Sequence, residues 1–149
     1  MIFARKCGSP TEQAELMQRG RAVACLFIAA VILALVLASV GPGSTDFVRG
    51  MSMGVTAAAT LYLPPIYRWL RPRDVVARLF DDESTREHRR MASVAGLVAA
   101  VAAAIALSFL SADHPVVSAF DTARLIAAAA MIAALTSFAV LELRAQRAV

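Results

Sequence analysis

The sequence predicts an all-α membrane protein with four transmembrane helices, arranged as two tandem hairpins with both termini in the cytoplasm. The first reason is composition: of 149 residues, 59% are hydrophobic and 17% are charged, whereas soluble domains have roughly 45–50% apolar and about 25% charged residues. The second reason is that residues 22–40 and 92–111 contain no charged side chain. These runs argue against a soluble enzyme, a nucleic-acid-binding protein and a disordered chain.

Four segments are long enough to cross the hydrocarbon core, which takes about 20 apolar residues. The expected spans are approximately 22–40, 47–66, 92–110 and 122–141, and residues 1–149 form a single transmembrane domain. The first span should remain in the protein, because its 19 apolar residues exceed the ~7–15 of a signal-peptide core. The second is the least apolar, and we assign it as a span because a short loop precedes it and an arginine-rich segment follows it.

The distribution of basic residues predicts the orientation. With four spans, both termini and the loop 67–91 lie on one side, and that side carries 13 of the 15 basic residues. Arg49 and Arg124 are the two on the other side. Because arginine and lysine concentrate in cytoplasmic loops, we expect a multi-pass protein of the bacterial inner membrane. Anionic lipid headgroups then account for the basic composition without a nucleic-acid partner.

Two pairs of charged residues mark the expected outer starts of the second and fourth spans. Asp46 and Arg49 form one D-x-x-R pair, and Asp121 and Arg124 form the other, 75 residues later. We expect each aspartate to cap free N–H groups and each arginine to reach back to its aspartate. The S-x-x-E motifs at Ser9 and Ser84 have the same offset and resemble capping boxes. The shared offset indicates a duplicated hairpin, although any two similar hairpins would place such residues at similar points.

The second span carries two rows of small or hydroxyl residues. Gly50, Gly54 and Ala58 are spaced four apart, and small residues let helices approach closely. We expect this row to pack against another helix of the same chain, with a homodimer contact as the alternative. The second row, which would line a polar seam or pack within the bundle, consists of Ser52, Thr56 and Thr60.

The loop 67–91 is the longest polar segment and the candidate docking surface for a protein partner. Its apolar residues include Leu79 and Phe80, which belong to a short amphipathic turn. The basic cluster Arg86, Arg89 and Arg90 follows just before the third span. The alternative interpretation is a solvated collar of arginines that faces lipid headgroups.

The residues that usually carry chemistry are few. The two histidines, His88 and His114, lie outside the predicted spans, so haem ligation within the bundle lacks its usual ligand. No acidic residue lies at the middle of a span, whereas proton-coupled transporters generally need one. We therefore expect no enzymatic activity, no cofactor and no metal site.

The stretch from Asp46 to the third span resembles a family of small bacterial four-helix membrane proteins whose activity is not established. The resemblance is carried by Asp46-Phe47 with Gly50 and Gly54 at the entry to the second helix, and by Asp82-Glu83-Ser84 before the third. It implies the four-helix layout and supplies no chemistry. The sequence thus leaves two functional hypotheses: a membrane component that binds a partner through its cytoplasmic loop, or a small dimeric transporter or channel with Ser52, Thr56 and Thr60 along its path.

Overall fold

A computed structural model describes residues 10–40, 45–61, 83–112 and 118–147 and places them in four α-helices. They are α1 (Pro10–Val40), α2 (Asp46–Thr60), α3 (Glu83–Ala112) and α4 (Ala119–Arg147). Three stretches are long and apolar enough to cross a membrane, namely Leu16–Val40, Glu83–Leu110 and Ala119–Gln146. The first, third and fourth predicted spans therefore lie within long helices.

The second predicted span, 47–66, is longer than the helix that forms. α2 has 15 residues, about 22 Å at 1.5 Å per residue, against a hydrocarbon core of about 30 Å. Leu61 is its C-cap, and its N–H bonds back to the carbonyls of Ala58 and Ala59. Residues 62–66 lie outside the described part of the chain. Among the described residues, α2 is therefore not one of the helices long enough to cross, and a crossing by the whole segment 47–66 stays a prediction.

α4 lies at the centre of the fold. It packs against α1, α2 and α3, whereas α3 contacts α4 alone among the described helices, and α1 also contacts α2. The sequence explains this position, because α4 buries a series of residues that are alternately four and three positions apart. They are Arg124, Ala128, Met131, Leu135, Phe138 and Glu142. Spacings of three and four keep one stripe of a helix facing its neighbours.

α1 supplies the matching surface. Its buried residues are Ala22, Cys25, Ala29 and Ile32, again three or four apart, and they join Phe138 and Leu135 of α4 in one core cluster. Small residues on α1 let large side chains of α4 fill the space between the helices. The opposite surfaces remain apolar and exposed, most continuously on α3 at Val94, Leu97, Val98, Val101, Ile105 and Phe109.

The close approach between helices occurs at a glycine that the sequence analysis did not select. A Cβ atom on Gly96 of α3 would meet the carbonyl oxygen of Ala130 at 3.0 Å and the Cβ of Ala134 at 3.1 Å. A Cβ on Gly50 or Gly54 would have nothing within 4 Å, and Ala58 is exposed. The expected packing of the Gly50, Gly54 and Ala58 row within the chain is therefore wrong for the described residues. α2 turns Ser52, Thr56 and Ala59 inward instead.

Candidate functional site

Two ionisable residues, Arg124 and Glu142, are buried at opposite ends of α4. Their exposed fractions are 1% and 4%, and they are the first and last members of the inward stripe. They lie 18 positions apart, about 27 Å along a helix, close to the ~30 Å thickness of a hydrocarbon core. Arg124 contacts Asp121 of α4, which in turn contacts Arg49 of α2, and Glu142 contacts His88 of α3. α4 therefore carries one polar cluster at each end.

The first cluster, which we call the Arg124 cluster, consists of Arg49, Asp121 and Arg124. Arg124 Nη2 lies 3.1 Å from Asp121 Oδ1, so the predicted contact within the second D-x-x-R pair is present. Arg49 Nη1 of α2 lies 4.0 Å from Asp121 Oδ2. Asp121 therefore stands between two arginines and links α2 to α4, an arrangement that the prediction of one separate pair per hairpin did not contain.

The expectation that the aspartates cap their helices is corrected. Ser118 Oγ accepts a hydrogen bond from the backbone N–H of Asp121 (3.1 Å) and donates one to Asp121 Oδ2 (2.8 Å). Ser118 thus caps α4, and Asp121 is its partner in an S-x-x-D box. In α2 the N-cap position belongs to Thr45, which makes no side-chain cap hydrogen bond, and Asp46 is the first helical residue.

The capping box expected at Ser84 does not begin α3, because Ser84 lies inside that helix, which already includes Glu83. The capping box expected at Ser9 lies outside the described residues. The sequence analysis missed Ser118, which lies three residues before Asp121. Its S-x-x-D motif is as short as the S-x-x-E motifs at Ser9 and Ser84, and so short a motif does not predict which of the three serines caps a helix.

The hydroxyl row of α2 is not a continuous lining. Ser52 and Thr56 are buried, whereas Thr60 is exposed. Thr56 Oγ1 donates to the carbonyl of Ser52 at 2.8 Å and Thr60 Oγ1 to that of Ala57 at 2.6 Å, so both hydroxyls are used by their own helix. Within the described part of the chain, Ser52 Oγ has no hydrogen-bond partner, and the same is true of Arg124 Nε and Nη1.

The second cluster, which we call the Glu142 cluster, consists of His88, Glu142, Gln146 and Arg19. His88 Nδ1 of α3 lies 3.6 Å from Glu142 Oε1 of α4, with side chains 16% and 6% exposed. Arg19 Nε of α1 donates to Gln146 Oε1 at 3.2 Å. One turn away, the guanidinium carbon of Arg21 lies 5.0 Å from the centroid of the Phe138 ring, a cation–π distance. All three long helices therefore meet at this cluster.

The spacing on α3 explains why His88 faces α4. Thr85, Ala92 and Gly96 are buried, and His88 occupies the remaining position of the series i, i+3, i+7 and i+11. The sequence analysis placed His88 in a polar segment before the third span and did not select Glu142. The overlooked signal was the alternation of three and four residues that links Arg124 to Glu142 along α4.

The candidate docking residues are only partly described. Arg86 and Arg90 are exposed at the start of α3, and Arg89 is half-buried. Leu79 and Phe80 lie outside the described residues. Among the residues that the structure describes, no group of three or more histidine, cysteine, aspartate or glutamate side chains is arranged to hold a metal ion, and Cys25 is a buried free thiol.

Comparison of the chain with protein-family models, with curated proteins and with solved structures found no match. The resemblance to small bacterial four-helix membrane proteins thus remains a hypothesis based on layout.

Proposed function

We propose that the protein is a multi-pass protein of the bacterial inner membrane that works as a non-enzymatic interaction or regulatory component, with its termini and central loop in the cytoplasm. The support for membrane insertion is the combination of three long apolar helices with large exposed side chains along α3. Leaving one such side chain in water instead of an apolar surrounding costs about 1.5–3 kcal/mol, so a bilayer suits this surface.

The observation that carries the interaction role is the exposed charged surface at the start of α3. Arg86 and Arg90 are exposed there together with Glu83 and Glu87, directly after residues 62–82. A surface of mixed charge suits a protein partner, since charged groups across an interface give specificity and fast association. Arginines alone would suit a lipid surface equally well, and the experiment must separate the two.

Photo-crosslinking in cells tests this proposal. A photoreactive amino acid at position 86 or 90 should give a discrete crosslinked protein band, whereas the same residue at Val101, an exposed position halfway along α3, should give lipid adducts alone. With the probe at 86, Arg90→Glu should weaken the band several-fold and Arg90→Lys should preserve it. If only lipid adducts form at 86 and 90 in correctly inserted protein, the arginines form a lipid-facing collar and the interaction role is wrong.

The alternative from the sequence, a dimeric transporter or channel lined by Ser52, Thr56 and Thr60, receives less support. A polar path needs hydroxyls that face one common space. Thr60 points away from the buried side of α2, and the Thr56 and Thr60 hydroxyls bond to their own helix.

A further inference from the structure

The Arg124 cluster contains hydrogen-bond donors whose bonds no described residue accepts. The Arg124 side chain is 2% exposed, and Nη2 of its guanidinium lies 3.1 Å from Asp121 Oδ1. Its Nε and Nη1 have no hydrogen-bond partner among the described residues. A buried charged donor without a partner is costly, so an acceptor from outside the chain would stabilise the guanidinium at this place.

α2 and α4 run in the same direction through the bundle. α1 runs antiparallel to α4, because Arg19 near the start of α1 bonds to Gln146 near the end of α4. α1 also packs against α2 with five residues between them, and so short a connection makes neighbouring helices antiparallel. The first residues of α2 and α4 therefore lie at the same end, in agreement with the contact between Arg49 and Asp121.

Ser52 is the buried residue of α2 that follows this contact. It lies three positions after Arg49, as Arg124 lies three positions after Asp121, so both are about one helical turn further into the bundle. Ser52 is 0% exposed, and its hydroxyl has no hydrogen-bond partner within the described ranges. Two neighbouring helices thus each bury a polar group without a partner at about the same depth.

The charges of the cluster favour an anion over a water molecule. Its two arginines exceed its one aspartate by one positive charge, and Asp46, the acidic residue of α2, is exposed. Water would accept hydrogen bonds from the donors but would leave that charge unbalanced. A phosphate group balances the charge, and its several oxygens can accept hydrogen bonds from two helices at once. Guanidinium groups also match the geometry of phosphate.

We propose that Arg124 and Ser52 form a binding site for a phosphate group between α2 and α4. Arg124 Nε and Nη1 donate hydrogen bonds to its oxygens, the Ser52 hydroxyl donates another, and Asp121 holds the guanidinium in place. The Arg49 side chain beside them is 39% exposed, so it attracts an anion from the surface. Arg124 lies five residues after the start of α4, about 8 Å along the helix, so a lipid headgroup or a free phosphate can supply the group. This inference does not depend on the proposed interaction role.

Nitrogen NMR of the Arg124 side chain tests the site on the full chain in micelles of a sugar detergent, which contains no phosphate. The Nε–H signal of Arg124 is identified by its loss in Arg124→Lys. Sodium phosphate, added at constant ionic strength, and short-chain phosphatidylglycerol, added to the micelles, are the two probes. A saturable shift of the signal with inorganic phosphate shows that the free anion binds, and a shift with the lipid alone shows that a headgroup supplies the phosphate. No saturable shift with either probe would overturn the inference.

Two serine variants show whether the phosphate binds at this place. Ser52→Ala should raise the Kd of the effective probe by about tenfold, the scale of one hydrogen bond to a charged group. Its unfolding in phosphate-free detergent should be unchanged, because the Ser52 hydroxyl has no partner to lose. Ser108→Ala is the matched control and should bind as the unaltered chain does, since Ser108 is exposed and bonds to its own helix. Equal Kd values for the two variants would overturn the inference.

Discussion

At the scale of single residues, Gly96 shows how a position without a side chain can determine helix packing. The space beside it is occupied by a backbone carbonyl oxygen and a methyl group of α4, and a backbone atom cannot move aside as a flexible side chain can. Gly54 stands in a more conspicuous sequence motif, yet a methyl group there would meet nothing within 4 Å. A glycine spacing motif therefore indicates that a close approach is sterically allowed, and a neighbouring helix decides whether it occurs.

Replacing Gly96 by alanine should therefore lower the free energy of unfolding by about 1–3 kcal/mol, the usual scale of overpacking. The expected cause is a displacement of α3 from α4, because contacts of 3.0 and 3.1 Å are too short for a methyl group. Unfolding in detergent, followed by circular dichroism, measures the change. Gly54→Ala is the matched control and should be nearly silent. If the Gly54 variant is the less stable of the two, the packing described for both helices is wrong.

At the scale of helices, the sequence predicted the features that depend on the length of an apolar run. It missed the features that depend on contacts between helices. α1, α3 and α4 contain the predicted spans because a long uncharged run has few alternatives to a helix. α2 ended earlier than predicted, since hydropathy does not locate the C-cap at Leu61. The contact between Arg49 and Asp121 joins positions 72 residues apart rather than members of one motif. It depends on how α2 and α4 pack side by side, which the motifs do not specify.

The exposed apolar surface of α3 leads to a prediction about the whole helix. Val101 is 51% exposed near the middle of the apolar run, so Val101→Arg places a charge where the proposed bilayer centre would be. Apparent insertion should become less favourable by about 2.5–3.5 kcal/mol, whereas Val101→Leu should insert normally. Glycosylation-based insertion assays measure this difference. Equal insertion of both variants would show that this surface does not face lipid.

At the scale of the whole molecule, the described arginines are unevenly divided between the two ends of the long helices. Arg19, Arg21, Arg86, Arg89, Arg90 and Arg144 lie toward the end with the Glu142 cluster, and Arg49 and Arg124 lie at the end with the Arg124 cluster. The uneven distribution of basic residues that is seen along the sequence is thus also present in the structure. It supports the proposed orientation with the Glu142 cluster toward the cytoplasm, where basic residues concentrate.

Cysteine labelling in whole cells should reveal that orientation. In a chain with Cys7→Ser and Cys25→Ala, an impermeant thiol reagent should modify Ser44→Cys and Asp113→Cys and should leave Asp74→Cys and Gln146→Cys unmodified until the cells are broken. The physical basis is that the reagent cannot cross the bilayer to reach cytoplasmic positions. Labelling of Asp74→Cys in intact cells would contradict the proposed topology and the cytoplasmic docking surface together.

The central position of α4 also constrains how the protein can be made. A ribosome synthesises α4 after the other three helices, so α3 has no described helix to pack against until α4 has been made. In the proposed membrane topology, insertion of α3 therefore precedes its packing, in keeping with a two-stage route for membrane proteins. Chains that stop before residue 119 would carry three helices without their common partner, and we expect such fragments to be the ones that membrane proteases remove.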